Sequence, residues 1–220
     1  VPALVTTDDV RRAVVQRMSG LTRAQETLPE ELRPLPARPA AVLVAVFADR
    51  DGGQAQVVLT RRSARLRSHT GEVSFPGGRL DPGETAQVAA LREAFEEVGI
   101  DPATVEVIGR LTPLSTWSSP AAITPFVGLL PGRPVLDPNP AEVDRAFTVP
   151  LVELYSPECY REELWRAADG GERPISFFEV VGDTVWGATG RMLRELLDLI
   201  WIAVSPASAS SGPPGSLEGS

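Results

Sequence analysis

Residues 77–100, reading GGRLDPGETAQVAALREAFEEVGI, constrain this chain more than any other stretch. Pro82-Gly83 marks a turn, the residues from Thr85 favour helix, and Gly99 stands where a left-handed glycine ends one. At about 100° per residue, Glu93, Glu96 and Glu97 share one face, while Val88, Leu91, Phe95 and Val98 cluster on the opposite one. The spacing predicts a helix that docks on a core through its apolar side and displays three carboxylates on the other. Crowded carboxylates repel unless they are solvated, paired with arginine or bridged by a cation, and an oxygen-only donor set suits Mg²⁺ or Mn²⁺.

The rest of the composition removes competing chemistries. All 21 basic residues are arginine, so there is neither a P-loop lysine nor a Schiff-base lysine. The single histidine, His69, excludes multi-histidine metal sites, and the single cysteine, Cys159, excludes an intrachain disulfide or a thiolate metal site. Carboxylates are left to do any catalysis. A net charge of −8 argues against nucleic-acid or anionic-membrane partners, but local arginines can still hold a small anionic substrate. No run approaches the roughly 20 apolar residues of a membrane span, and the first residues lack a secretory pattern, so a soluble, cytoplasmic protein is expected.

With 43% hydrophobic residues the chain can bury a sizeable core in one domain. Helical spacing of Val10, Ala13, Val14 and Met18 predicts an opening helix over 8–18, capped by Thr6 or Thr7. Together with a proline-rich connector it makes up residues 1–39. Residues 41–48 and 56–61 read as a hairpin across a turn-forming DRDGG segment. Further strands are expected at 105–111, 123–130, 145–149, 175–181 and 184–186. A last helix over 189–204 carries Met192, Leu193, Leu196, Leu197 and Ile200 on its buried face, and the low-complexity residues 205–220 read as a disordered tail. Helices interspersed with strands fit an α/β or α+β sandwich.

Spacing within the glutamate stretch is specific. Gly78, Glu84, Arg92, Glu93, Glu96, Glu97, Gly99 and Ile100 match G-x5-E-x7-R-E-U-x-E-E-x-G-U, where U is aliphatic; Ala94 is small for its position. The chain therefore resembles the Nudix hydrolases. The resemblance implies an α/β fold, an α/β/α sandwich around a mixed β-sheet, covering residues 40–204, and hydrolysis of a nucleoside diphosphate derivative with Mg²⁺ or Mn²⁺. It implies that Glu93 and Glu97 ligate metal, that Glu96 ligates or helps activate water, that Arg92 orients the carboxylates, and that Glu84 braces the preceding loop. The Gly77-Gly78 pair lets backbone approach the metal or phosphate, which a Cβ would obstruct. For the general base, Glu142, Glu72 and Glu96 all compete.

Before this box, residues 58–78 read VLTRRSARLRSHTGEVSFPGG. Leu59, Thr60, Arg62, Ser63, Arg67, Gly71, Phe75, Pro76, Gly77 and Gly78 stand in the register of L-L-T-x-R-S/A-x3-R-x3-G-x3-F-P-G-G, which resembles the signature of the coenzyme A pyrophosphatases. Asn139-Pro140-x-Glu142-Val143 and Trp186-Gly187-Ala188-Thr189 are similar to that subfamily too. The implied reaction splits coenzyme A into 3′,5′-ADP and 4′-phosphopantetheine. Arg61, Arg62, Arg65 and Arg67 form a cationic run suited to an additional phosphate. His69 reads as a loop residue, Phe75 either stacks on adenine or fills the core, and Trp186 packs the core. Other Nudix classes fit less well: an NADH-type enzyme needs several cysteines and SQPWPFPxS, and ADP-ribose hydrolases often carry a downstream proline where this chain has Ser115 and Thr116. Hydrolysis of ADP-ribose or a nucleoside triphosphate, and nucleotide sensing without turnover, are the alternatives.

Overall fold

The computed structural model describes residues 2–20, 38–50, 53–64, 71–115, 121–166 and 170–205. Its elements run α1 (Thr7–Ser19), β1 (Arg38–Ala48), β2 (Ala55–Arg62), β3 (Val73–Ser74), β4 (Gly77–Arg79), α2 (Ala86–Val98), β5 (Glu106–Arg110), β6 (Leu114–Ser115), β7 (Ala121–Leu129), β8 (Val143–Pro150), β9 (Tyr160–Arg166), β10 (Glu172–Val180), β11 (Asp183–Val185) and α3 (Gly187–Val204). Thr6 caps α1, with Asp9 returning the bond in a capping box.

A mixed sheet carries the fold. Its central order is β3-β2-β1-β7-β5, with β4 beside β1, β6 beside β7 and β8 beside β2. β1 and β7 run parallel and the other pairs in this sheet are antiparallel. Residues 41–47 of β1 are all buried, because a strand covered on both faces alternates between two cores instead of between core and water. Ala41, Leu43, Ala45 and Phe47 pack under α2, and Val42, Val44 and Val46 pack with the α1 and α3 side chains. This is the α/β/α sandwich around a mixed sheet. A second, three-stranded antiparallel sheet, β11-β10-β9, joins the layer that holds α3. Among the described residues, no helix is long and apolar enough to cross a membrane.

Three expectations need correction. The helix α2 does not dock through Val88 and Phe95, which are 53% and 56% exposed; it lies on the sheet through Ala89, Ala90, Ala94 and Val98. Alanine lets the helix axis approach β1 and β4 more closely than a row of large side chains would. The small residue at 94 is therefore a packing requirement. Trp186 is 43% exposed, stacked near Phe177 and Trp165 on the outer sheet instead of inside the core. Strand β9 was not expected, since YREELWR is largely exposed on both faces and so carries no clean alternation. The N-terminal helix, by contrast, contributes Val10, Ala13 and Val14 to the same core as α3. Residues 206–220 lie outside the described residues.

Close packing of α2 has a direct consequence for stability. Ala94→Leu should lose about 1–3 kcal/mol in denaturant unfolding, the usual cost of forcing methylenes into a filled core. Its neighbour change Phe95→Ser should stay within about 0.5 kcal/mol. Equal losses for the two variants would contradict the burial pattern.

Candidate active site

The site forms where the N-terminal half of β1, strand β4 and the face of α2 meet. Gly77 and Gly78 pair with Val42 and Ala41, and a Cβ on Gly77 would stand 2.4 Å from the Ala41 carbonyl oxygen. A Cβ on Gly78 would stand 2.4 Å from the Glu93 carboxyl carbon. Gly77 thus lets β4 lie close against β1, and Gly78 lets α2 bring Glu93 down onto β4. At the far end of the helix Gly99 takes φ +75°, a left-handed conformation that only glycine adopts without strain, and its N–H closes the last turn on Phe95.

Glu93 and Glu97 are one helical turn apart, so their carboxylates stack along one line of α2. Glu142, from the loop before β8, joins them: the three carboxylates offer oxygens that all lie within 4.8 Å of one another. That loop is docked on the C-terminal carbonyls of α2, with Asp137 N–H donating to Val98 and Asn139 N–H to Glu97 at 3.0 and 2.9 Å. Ser63 N–H then donates to the Glu142 carbonyl at 2.8 Å. Sequence reading quoted Asn139 only as part of a motif; its backbone role depends on two segments meeting in space, which no local signal reports.

Glu97 is 2% exposed. Burial pushes its carboxyl from the ordinary 4.5 up to about 7, with nearby Glu93 and Glu142 adding to the effect, while the Gly77 N–H bond at 3.1 Å and the Arg62 guanidinium at 3.6 Å pull it down. Burial also raises Glu93, opposed by its bond from Arg92. Arg92 itself is fully committed. It grips Glu84 through two nitrogens at 2.9 Å each, reaches Glu93 at 3.0 Å and Glu96 at 2.8 Å, and donates to the Arg79 carbonyl at 3.1 Å. The guanidinium holds Glu84 down at about 2 and so ties the loop to the helix, while the Asp81 N–H bond to Glu84 closes the loop on itself.

Glu96 is placed differently from Glu93 and Glu97. It lies a further 60° or so round the helix, its side chain is 51% exposed, and it sits outside the three-carboxylate group. Glu72, the remaining candidate base, is exposed and also outside that group.

The expected substrate residues divide between the two faces of β2. Val58 lies in the α2-side core and Leu59 in the opposite one, and side chains alternate along a strand. Arg62 therefore faces α2 and Glu97. Arg61 faces away from the carboxylates, pairing with Asp183 of β11 at 3.0 Å and approaching Asp144 at 3.9 Å. Both arginines were expected at the substrate; of the two, the structure brings Arg62 to the carboxylates, while Arg61 ties the main sheet to β11, an arrangement to which Arg145 adds a bond to the same Asp183. Phe75 is 1% exposed within the α1/α3-side core, which decides between its two readings in favour of packing; a ring so enclosed is not presented to a base. Ser63 is 5% exposed and acts through its backbone on Glu142. Arg65, Arg67 and His69 lie outside the described residues.

Three carboxylates converging from a helix and a loop, with an oxygen-only donor set, suit a divalent cation such as Mg²⁺ or Mn²⁺. Without a cation Glu97 takes up or gives up its proton across the neutral range. The raised Glu97 carboxyl stabilises the folded state fully below about pH 4.5 and loses that contribution as pH rises through about 7. In chelator, the stability of the wild-type chain relative to Glu97→Gln should therefore fall between pH 5 and pH 8, by about 3 kcal/mol at most. Saturating Mn²⁺ should abolish that slope. A pH-independent difference in chelator would show that Glu97 is already ionised there.

Comparison with known proteins gives the family. The NUDIX domain model matches residues 37–169, from the first strand to just beyond β9. The uncharacterized Nudix hydrolase NudL of Photorhabdus laumondii is 40% identical over 166 residues, covering 75% of this chain and 86% of its own. Its namesake in Pectobacterium atrosepticum is 38% identical over 179 residues, covering 80% and 90%. Among solved structures, a MutT/nudix family protein from Enterococcus faecalis superposes with a TM-score of 0.53 over 89% of this chain and 74% of that one; at 14% identity this likeness carries the fold alone. The chain belongs to the Nudix hydrolase family.

Proposed function

We propose that this Nudix hydrolase cleaves the diphosphate bond of coenzyme A or its derivatives, giving 3′,5′-ADP and 4′-phosphopantetheine. The convergence of Glu93, Glu97 and Glu142 beside the inward-facing Arg62 carries the reading. Glu93, Glu97 and Glu142 would hold Mg²⁺ or Mn²⁺, with the Gly78 backbone close by. A cation held there supplies charge neutralisation for the diphosphate and an acidified water as nucleophile.

The chain's own groups divide the remaining work. Arg92 fixes the rotamer of Glu93 and draws Glu96 alongside the helix. Glu96, which is solvent-accessible and held by one bond, is placed to take the proton of an attacking water, and Glu142 competes for that role from the loop. Gly78 leaves room for the Glu93 carboxylate against β4, and the Gly77 N–H holds Glu97. Substrate choice rests on the segment 58–78: it matches the coenzyme A pyrophosphatase signature, and in the fold it supplies both Arg62 and β4, the two walls nearest the carboxylates.

The test is a chromatographic product assay with coenzyme A, ADP-ribose, NADH and a nucleoside triphosphate, each with Mg²⁺, with Mn²⁺ and with chelator. Metal-dependent release of 3′,5′-ADP and phosphopantetheine from coenzyme A is expected; preferential turnover of ADP-ribose or the triphosphate would reject the substrate while keeping the site. Glu97→Gln should reduce turnover by about a hundredfold or more without unfolding the chain. Arg67→Ala should damage hydrolysis of coenzyme A more than that of dephospho-coenzyme A, and equal losses on the two would remove Arg67 from recognition of the additional phosphate.

A further inference from the structure

Arg62 and Arg92 hold the same carboxylate cluster in different ways. Every Arg92 contact with Glu84, Glu93 and Glu96 is at hydrogen-bond length, 2.8 to 3.0 Å. The Arg62 contact with Glu97 is 3.6 Å, longer than a charge-assisted hydrogen bond and held by charge alone. The backbone of Arg62 is nevertheless pinned. Its N–H donates to Glu72 at 3.0 Å, its carbonyl accepts from Gly71 at 3.2 Å, and it pairs with Val143 of β8 just past a register shift. Only the side chain, 27% exposed, is left to move.

Resting on the reading of Glu93, Glu97 and Glu142 as a divalent-cation centre, we propose that Arg62 is the site's resident counter-cation, released from Glu97 when a divalent ion is held there and then available to the substrate diphosphate. The charges make this a switch between two partners. Before a divalent ion is present, Arg62 is the cation paired with the buried Glu97 among the described residues. Once Glu97 shares a divalent ion, the same position places two cations side by side, and the attraction that held Arg62 turns into repulsion. A diphosphate bound at the centre brings at least two negative charges within the sweep of an arginine anchored on the neighbouring strand. Arg62 thus couples the two binding events: it weakens the first and strengthens the second.

Binding measurements without turnover test this. Mn²⁺ affinity is measured by calorimetry on the wild-type chain, Arg62→Ala and Arg62→Lys, first alone and then with α,β-methylene-ADP as a diphosphate that is not cleaved. Arg62→Ala should bind Mn²⁺ about fivefold more tightly than wild type in the absence of nucleotide. At saturating Mn²⁺ it should bind α,β-methylene-ADP about tenfold or more weakly. Arg62→Lys, which restores the charge, should move Mn²⁺ affinity back toward wild type. Weaker Mn²⁺ binding in Arg62→Ala would overturn the proposal, because Arg62 would then be a scaffold for the carboxylates. Unchanged nucleotide binding would overturn it as well, because Arg62 would never leave Glu97. Failure of the underlying reading has its own signature: Mn²⁺ binding that survives Glu93→Gln and Glu97→Gln together would move the cation centre elsewhere, whatever Arg62 does.

Discussion

Mutual repulsion among Glu93, Glu97 and Glu142 is the constraint around which this molecule is organised. Two like charges about 4 Å apart repel by about 4 kcal/mol at an effective dielectric near 20. A chain that gathers three such groups within 4.8 Å must therefore hold them from several directions. Arg92 neutralises one flank, the Gly77 N–H and Arg62 address Glu97, and the loop carrying Glu142 is fastened to the helix end by backbone bonds that cannot swing away as side chains do. Burial raises the carboxyls of Glu97 and Glu93, and the neighbouring carboxylates add to it. The repulsion is the electrostatic counterpart of the divalent cation the family uses.

That arrangement sets requirements on the packing beneath it. The helix can hold its glutamates against β4 only if its axis lies close to the sheet, which requires alanine at 89, 90 and 94 and glycine at 78. Closeness has a further effect: Val88 and Phe95 are left on the solvent side, while Val98 is buried. The surrounding core compensates elsewhere. Strand β1 is buried on both faces, and α1 and α3 fill the far layer with larger side chains. Arg17, Glu195 and Thr112 close that layer with a partly buried network linking α1, α3 and the segment after β5.

Strand parity decides what the arginine run can do. Four arginines within residues 61–67 look like one cationic patch when read in line, yet consecutive residues of a strand point to opposite faces. Arg62 meets the carboxylates, and Arg61 meets Asp183 from the second sheet. Nothing in the sequence near Asp183 marks it as the partner of a residue more than a hundred positions earlier.

The sequence by itself determined the helix 86–98 with its left-handed stop at Gly99, the longer strands of the mixed sheet but not β3, β4 or β6, the buried face of the last helix, and the family, because each of these rests on local periodicity or on fixed spacing along the chain. The pairing of Arg92 with Glu84 and Glu93 was expected through the family resemblance that this spacing carries. Only the tertiary structure decided that Glu142 joins Glu93 and Glu97 while Glu96 stays at the solvent edge, that Phe75 is core, that Arg61 turns away from the site, and which side of α2 is buried. Those facts depend on how closely separate elements approach and on which face each presents, and neither distance nor facing between elements is encoded in the spacing of residues along any one of them.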